Sequence, residues 1–277
     1  MISVVTIVYN SPEDLRCTID SVSSQEFEDF EFIVIDGGSD VETINVINDN
    51  FGIIDILVSE PDRGISDAFN KGVSLAGREY VIFLNAGDRF LESTTLKDAS
   101  NKIKECVSGG DIIYGDSIGV GSGYAIMRCG DHQRLKQHNS ICHQAVFIRR
   151  QFLLRKSFDL DLKLKMDYDL WLRSLESGNF VKIDVVVCLY SLSGISAMRE
   201  NRFKGRVLEI LLRDEHHLLG GCGCFNIMIL FMNSLLSRCE WMEIVVQKVK
   251  KKIGLYPYHS ENICLYDEIF GRKVGRK

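Results

Sequence analysis

Four short polar clusters in the first ninety residues carry the groups that hold polar ligands. They are Tyr9-Asn10, Asp36-Gly37-Gly38-Ser39, Glu60-Pro61-Asp62-Arg63-Gly64 and Asn85-Ala86-Gly87-Asp88. Carboxylates accept N–H and O–H groups or hold hard cations, and a guanidinium grips anionic oxygens in pairs. Glycine lets the backbone come close to a ligand. Any one cluster alone would be an ordinary loop. Further along, Asp67 and Asn70 are three residues apart and share one side of a helix. Asp167-Tyr168-Asp169, with Arg173 downstream, adds two carboxylates close together in sequence.

Each of the first four clusters follows a short apolar run rich in Val and Ile: Val4–Val8, Phe32–Ile35, Ile53–Val58 and Tyr80–Leu84. Such runs read as buried strands. Helical patterns lie between them. Asn10 and Ser11 can cap a helix with Pro12 in its first turn, and Leu15, Ile19 and Val22 give it one apolar face. A second helix follows Asp40 and a third runs from about Ile65 to Leu75. Alternating strands and helices of this spacing predict an α/β fold with parallel strands and helices on both faces. Ligands bind such sheets at the carboxyl ends of the strands, where the four clusters converge. No G-x-G-x-x-G follows the first strand and no Walker A sequence is present, which disfavours a dinucleotide fold and excludes a P-loop nucleotide triphosphatase.

Composition narrows the class further. The 277 residues (31.4 kDa) are 45% hydrophobic and 26% charged, ordinary for a globular protein and unlike a disordered chain, a collagen-like fibre or a polytopic membrane protein. A net charge of −5 argues against a nucleic-acid partner. The nine scattered cysteines suit free thiols in a reducing compartment. With a strand already at Ser3–Tyr9, no secretory leader is read, and the cytosol is the expected location.

The ordered motifs Val4-Val5-Thr6-Ile7-Val8-Tyr9-Asn10, Ile35-Asp36-Gly37-Gly38-Ser39-Asp40, Ser59-Glu60-Pro61-Asp62-Arg63-Gly64 and Phe83-Leu84-Asn85-Ala86-Gly87-Asp88 resemble the family 2 inverting glycosyltransferases. The likeness covers about residues 1–190 and is strongest to bacterial members that build surface polysaccharides such as O-antigen, colanic acid or capsule. It implies a GT-A fold, a Rossmann-like mixed sheet flanked by helices, and a UDP-sugar donor with Mn²⁺ or Mg²⁺. On that resemblance, Asp36 and Tyr9 receive the nucleotide base, and Arg63 reaches the donor diphosphate. Asp67 and Asn70 contact the donor sugar. Asn85, Gly87 and Asp88 stand where the family carries D-x-D, with asparagine at its first position and Asp88 as the metal ligand. Asp167-Tyr168-Asp169-Leu170 with Arg173 resembles E-D-x-D-L-x-x-R, with Met166 in place of the glutamate. Its implied catalytic base is Asp167, with Asp169 in reserve. His143-Gln144 falls on the acceptor side, and Tyr114-Gly115-Asp116 is read as a strand end bordering the pocket.

Plainer roles exist for the same residues. Asp36 can cap its turn, Arg63 can pair with Asp62, Asp67 can serve a helix dipole, Asn85–Asp88 can be a polar turn, and His143 can be structural.

The tail differs in charge from the body. From Arg238 onward nine Lys or Arg face five Asp or Glu, a +4 tail that leaves −9 on the first 237 residues. Leu218–Ser237 is uncharged but too rich in Gly and Asn for a confident transmembrane span. Glu240–Ile253 sets Trp241 and aliphatics beside Lys248, Lys250, Lys251 and Lys252, which suits an anionic membrane surface, the plainer alternative being helices packed on the body. The expected division is a catalytic domain over 1–200, with a donor half at 1–118 and an acceptor half at 119–200. A helical, basic extension over 201–277 then makes peripheral contact with the inner face of the cell membrane, and the acceptor is a glycan or a lipid of the undecaprenyl-diphosphate type. The rival readings are a sugar nucleotidyltransferase and a non-catalytic sugar-nucleotide-binding subunit of an assembly complex.

Overall fold

A computed structural model describes residues 1–106, 109–121, 123–192, 199–216 and 263–264. Its framework is four parallel strands, β1 (Ile2–Val8), β2 (Phe30–Asp36), β3 (Ile56–Ser59) and β4 (Tyr80–Phe83), side by side in the order β4-β1-β2-β3. The central strands are buried at nearly every position because both of their faces are covered. Alternation sends neighbouring residues to opposite faces. Val4, Phe32 and Val34 join the core that holds Leu15, Ile19 and Val22 of α1 (Pro12–Ser23) and Val46 and Ile47 of α2 (Val41–Asp49). Val5, Ile33 and Ile35 join the opposite core, with Ala68, Phe69 and Val73 of α3 (Ile65–Leu75). Gly72 sets how closely α3 approaches, since a Cβ there would stand 2.5 Å from Val5 Cγ1.

Beyond β4 the sheet becomes mixed. After β5 (Arg89–Phe90) and α4 (Thr95–Glu105) come β6 (Ile112–Gly121) and β7 (Tyr124–Arg128), then β8 (Val146–Arg149), which runs antiparallel to both β4 and β6. α5 (Arg150–Arg155) and α6 (Met166–Ser174) precede β9 (Phe180–Ser191), which lies parallel to β6 and pairs with β5. α7 (Arg199–Glu215) follows, and β10 (Ile263–Cys264) pairs with β7. The expected α/β class and mixed sheet are therefore present.

Two expectations need correction or placement. Tyr114-Gly115-Asp116 is not a strand end: it lies inside β6, at an irregularity in its register with β9. Gly115 makes the continuation possible, because a Cβ there would fall 2.3 Å from the Val185 carbonyl oxygen. Asp116 is neutralised by Lys182 at 3.1 Å, so the strand carries its charge without ending. The division at 118/119 falls within β6, and α7 straddles residue 200. The runs 218–237 and 240–253, which carry the membrane expectation, lie outside the described residues. Among the described residues no helix is long and apolar enough to cross a membrane.

α7 is fastened to α6 and to the loop before it. Leu208 and Leu212 pack with Tyr168 and Trp171 in one core. Glu209 pairs with Lys165 at 2.5 Å, and Arg213 donates to the Gln137 carbonyl.

Candidate active site

The ends of β1, β2 and β3 form an edge whose hydrogen bonds are mostly local. The Asp36 carboxylate is buried, accepting the Ser59 hydroxyl at 2.6 Å and the Ser39 N–H at 3.2 Å. Each carboxylate oxygen has two lone pairs, so these bonds leave capacity for another N–H. Tyr9 is 65% exposed, its ring an open apolar face beside Gly37. A Cβ at Gly37 would lie 2.7 Å from Asp62 Oδ2 and 3.4 Å from Tyr9 Cδ2, so only glycine leaves room there. Asn10, at φ 48°, laces the edge by accepting the Asp40 N–H on Oδ1.

Arg63 pairs with Asp67, at 3.3 Å, rather than with Asp62, whose carboxylate accepts the Gly64 N–H instead. The Arg63 backbone N–H and its guanidinium hold the Asp67 carboxyl below the usual range. The Arg63 side chain remains 73% exposed and able to turn toward an anion. Asn70 is engaged at both ends of its amide by the backbone of Phe158, at 2.9 and 3.0 Å, which ties α3 to the loop before α6. A sugar hydroxyl at Asn70 would have to compete with those bonds.

The turn after β4 holds Asn85, Gly87 and Asp88. One hydroxyl organises it: Thr18 Oγ lies 2.8 Å from the Asp88 carbonyl and accepts the Gly87 N–H at 3.0 Å. Gly87 takes φ 95°, a conformation that side chains resist. The Asp88 carboxyl is almost wholly buried, and burial pushes it up to about 7 against the opposing influence of nearby His143 and Gln144. Gln144 in turn accepts the Cys142 thiol at 2.8 Å.

His143 links this turn to α6. Its Nε2 lies 3.2 Å from Asn85 Nδ2 and its Nδ1 lies 3.7 Å from Asp167 Oδ2, while its ring rests against Phe69. Burial disfavours the imidazolium, but the nearby Asp167 carboxylate outweighs it and raises the histidine. Conversely, burial would raise Asp167, yet His143, Lys165 and Asn139 bring it down to about 2. Asp167 also lies in the first turn of α6, where the helix dipole favours a carboxylate. Lys165 precedes it in the left-handed region at φ 62°. Asp169, two residues on and so turned roughly 200° around the helix, is bound to Arg173 at 2.7 Å and is raised by burial. It belongs to the opposite side of α6.

The structure thus joins Asn85, Asp88, His143, Gln144 and Asp167 in one connected cluster, and sets Tyr9 and Asp36 together on the neighbouring strand ends. Asp67 and Asp169 are committed to partners one helical turn away, and Asn70 to the backbone of Phe158. Two supporting residues escaped the sequence reading. Thr18 left a signal, a polar residue on the apolar stripe of α1. Asn139, which donates to Asp167 Oδ2 at 3.0 Å, left none.

A divalent cation fits the turn after β4. Asp88 offers a buried carboxylate that ionises reluctantly alone, and Asn85 Oδ1 is buried without a hydrogen-bond partner. Both are oxygen donors of the kind that Mg²⁺ and Mn²⁺ prefer. Among the described residues no group of three or more His, Cys, Asp or Glu could hold a metal ion. A cation here would take its remaining ligands from water or from a phosphate-bearing ligand.

Residues 3–158 match the family described as Glycosyl transferase family 2. A PGL/p-HBAD biosynthesis glycosyltransferase of Mycobacterium bovis is 32% identical over 200 residues, covering 70% of this chain and 78% of that protein. A UDP-Glc:alpha-D-GlcNAc-diphosphoundecaprenol beta-1,3-glucosyltransferase, WfgD of Escherichia coli, is 26% identical, covering 74% and 81%. Among solved structures, TarS residues 1–349 of S. aureus superpose with a TM-score of 0.59 at 19% identity, over 76% of this chain and 64% of that one. The mannosyltransferase PcManGT of Pyrobaculum calidifontis, in complex with GDP-Man and Mn²⁺, gives 0.62 at 15% identity, over 92% and 81%. These likenesses show a GT-A-like fold.

Proposed function

The chain belongs to glycosyl transferase family 2, and from that premise we propose that it transfers one sugar from a UDP-sugar to a glycan acceptor with inversion at the anomeric carbon. The observation that carries this reading is Asp167: a carboxylate kept ionised at a helix N-terminus and held by His143 and Asn139. It takes the proton of an acceptor hydroxyl as that oxygen bonds to the anomeric carbon. The bond from that carbon to the donor phosphate oxygen breaks on the opposite side, and its electron pair leaves with UDP. A positioned base contributes about 10²–10⁴-fold to such a step.

Asp36 and Tyr9 receive the base of the donor, and Arg63 turns from Asp67 to its diphosphate. Asp88, with Asn85 beside it, would hold Mg²⁺ or Mn²⁺, which when bound neutralises charge on the departing diphosphate. The choice of UDP is supported by the name of the E. coli relative and by the TarS structure with UDP-GlcNAc. That relative's name, which gives a diphosphoundecaprenol-linked acceptor, also supports a lipid-linked acceptor here, and the role we propose with it is surface polysaccharide assembly at the inner face of the cell membrane.

Purified protein offered a panel of UDP-sugars with a diphospholipid-linked N-acetylhexosamine acceptor is expected to release UDP in a metal-dependent way. Absence of release with every donor, while UDP still binds, would favour a sugar-nucleotide-binding subunit instead.

A further inference from the structure

The Asp167 carboxylate is asymmetric in its surroundings. Both of its side-chain partners address one oxygen: Asn139 Nδ2 at 3.0 Å and His143 Nδ1 at 3.7 Å, each on Oδ2. Neither contact involves Oδ1. A carboxylate rotates freely about its last bond unless it is held, so one restrained oxygen fixes where the other points.

The orientation of Asn139 is forced. An ionised carboxylate only accepts, so the amide must turn its NH₂ toward Asp167, and its carbonyl must face away. That carbonyl is buried without a partner. Unsatisfied buried groups are rare in folded proteins and call for a reason. Here the reason is the bond on the other end of the same amide.

The backbone that carries Asn139 is itself braced. The Ser140 hydroxyl closes the loop onto the Asp131 carbonyl at 2.6 Å, and the Tyr168 hydroxyl donates to the Leu135 carbonyl at 2.6 Å. Tyr168 is the next residue after Asp167, and Arg213 of α7 holds the Gln137 carbonyl from the other side. Base and asparagine are therefore referenced to the same rigid frame, the arrangement that keeps a reactive group within a small tolerance.

We infer that Asn139 is a positioning residue for the catalytic base, which pins Asp167 Oδ2 jointly with His143 so that Oδ1 faces the acceptor hydroxyl. The inference rests on the reading of Asp167 given above. It assigns Asn139 no contact with donor or acceptor, so its removal acts on turnover and leaves donor affinity alone.

Two substitutions separate this role from packing. Asn139→Ala removes the amide, and Asn139→Asp keeps its shape while replacing the donor with an oxygen that repels Asp167. A packing residue would tolerate the isosteric Asp better than Ala. A positioning donor makes Asp at least as damaging as Ala, and we expect both to lower kcat by tenfold or more, with the donor KM and UDP affinity within twofold of wild type. Either variant retaining wild-type kcat, or Asp milder than Ala, would overturn the inference. Asp167→Asn is measured in parallel. If it transfers like wild type, the assignment of the base falls and this inference with it. If it fails while both Asn139 variants transfer normally, only this inference falls.

Discussion

The strand-end edge proposed to receive the nucleotide and the cluster around the proposed base are built in opposite ways. At the edge, Asp36 binds Ser39 and Ser59, Arg63 binds Asp67, and Tyr9 stands open, so the partners are near in sequence or on the adjoining strand. In the base cluster, Asn85, Asn139, His143 and Asp167 come from three separate segments of the chain, and they spend their polar groups largely on one another. The edge keeps capacity for a ligand that brings its own hydrogen bonds. The cluster keeps its geometry before any ligand arrives, as electrostatic preorganisation requires. Damage to the edge should therefore appear in binding, and damage to the cluster in turnover.

The largest expected effect tests the cluster. Asp167→Asn should lower transfer by at least about a hundredfold while UDP affinity, followed by calorimetry, stays within a few fold. A parallel loss of UDP affinity would break the contrast between the two regions.

Next comes Asp88, with opposite effects on activity and stability. Chelation, or Asp88→Asn, should lower transfer by roughly one to two orders of magnitude. Yet the metal-free variant should be the more stable protein at neutral pH and above. Asp88 is raised from the ordinary carboxylate value of 3.8 to about 7, so across that window the folded state holds a proton that the unfolded state has released. Stability therefore falls as pH rises from about 4 to about 7, and stays low above that, by an amount on the order of 4 kcal/mol. Melting curves of wild type and Asp88→Asn should converge near pH 4 and separate by pH 8. Equal melting temperatures at pH 8 would refute the buried, strained carboxylate.

Asp167 has the reverse sign. Its carboxyl is held down to about 2, so its contribution is complete above the unfolded value and is lost as pH falls from about 4 toward 2. Because its cost lies on the acid side, Asp167→Asn should destabilise the protein modestly at pH 7, read as a lowered melting temperature.

The smallest effects belong to the edge. Asp36→Ala should raise the donor KM about tenfold with little change in kcat. Arg63→Ala should raise it only a few fold, since the Arg63 side chain is 73% exposed and a solvent-screened cation adds little. A kcat defect larger than the KM defect in either variant would blur the contrast.

The same division explains what could be read from the sequence. The strands and their polar ends follow from short apolar runs, and α3 lies at the Ile65–Leu75 expected from its periodicity. β3 is shorter than its apolar run suggests, starting at Ile56. Asp55 before it is drawn off to accept the Phe32 N–H at 2.7 Å. The polar stretch Tyr114-Gly115-Asp116 misled because Gly115 and Lys182 let a strand run through it. Asn139 was invisible because its meaning lies in a partner 28 residues away. The pairing of Arg63 with Asp67 in place of its neighbour Asp62 likewise depends on where α3 begins. Resemblance named Asp167, while only the fold shows that Asp169 turns to the other side of α6.

The ion pair between Lys165 and Glu209 has a consequence for the order in which the molecule matures. Strands β1 to β4, with every residue of the nucleotide edge, leave the ribosome more than a hundred residues before Glu209. Folding during synthesis proceeds from the N-terminus. A growing chain can thus complete its nucleotide edge while the frame around Asp167 still lacks Glu209 and Arg213. A chain stalled after residue 200 is expected to retain UDP and to transfer nothing, because the frame around Asp167 then lacks the ion pair from Glu209 and the hydrogen bond from Arg213.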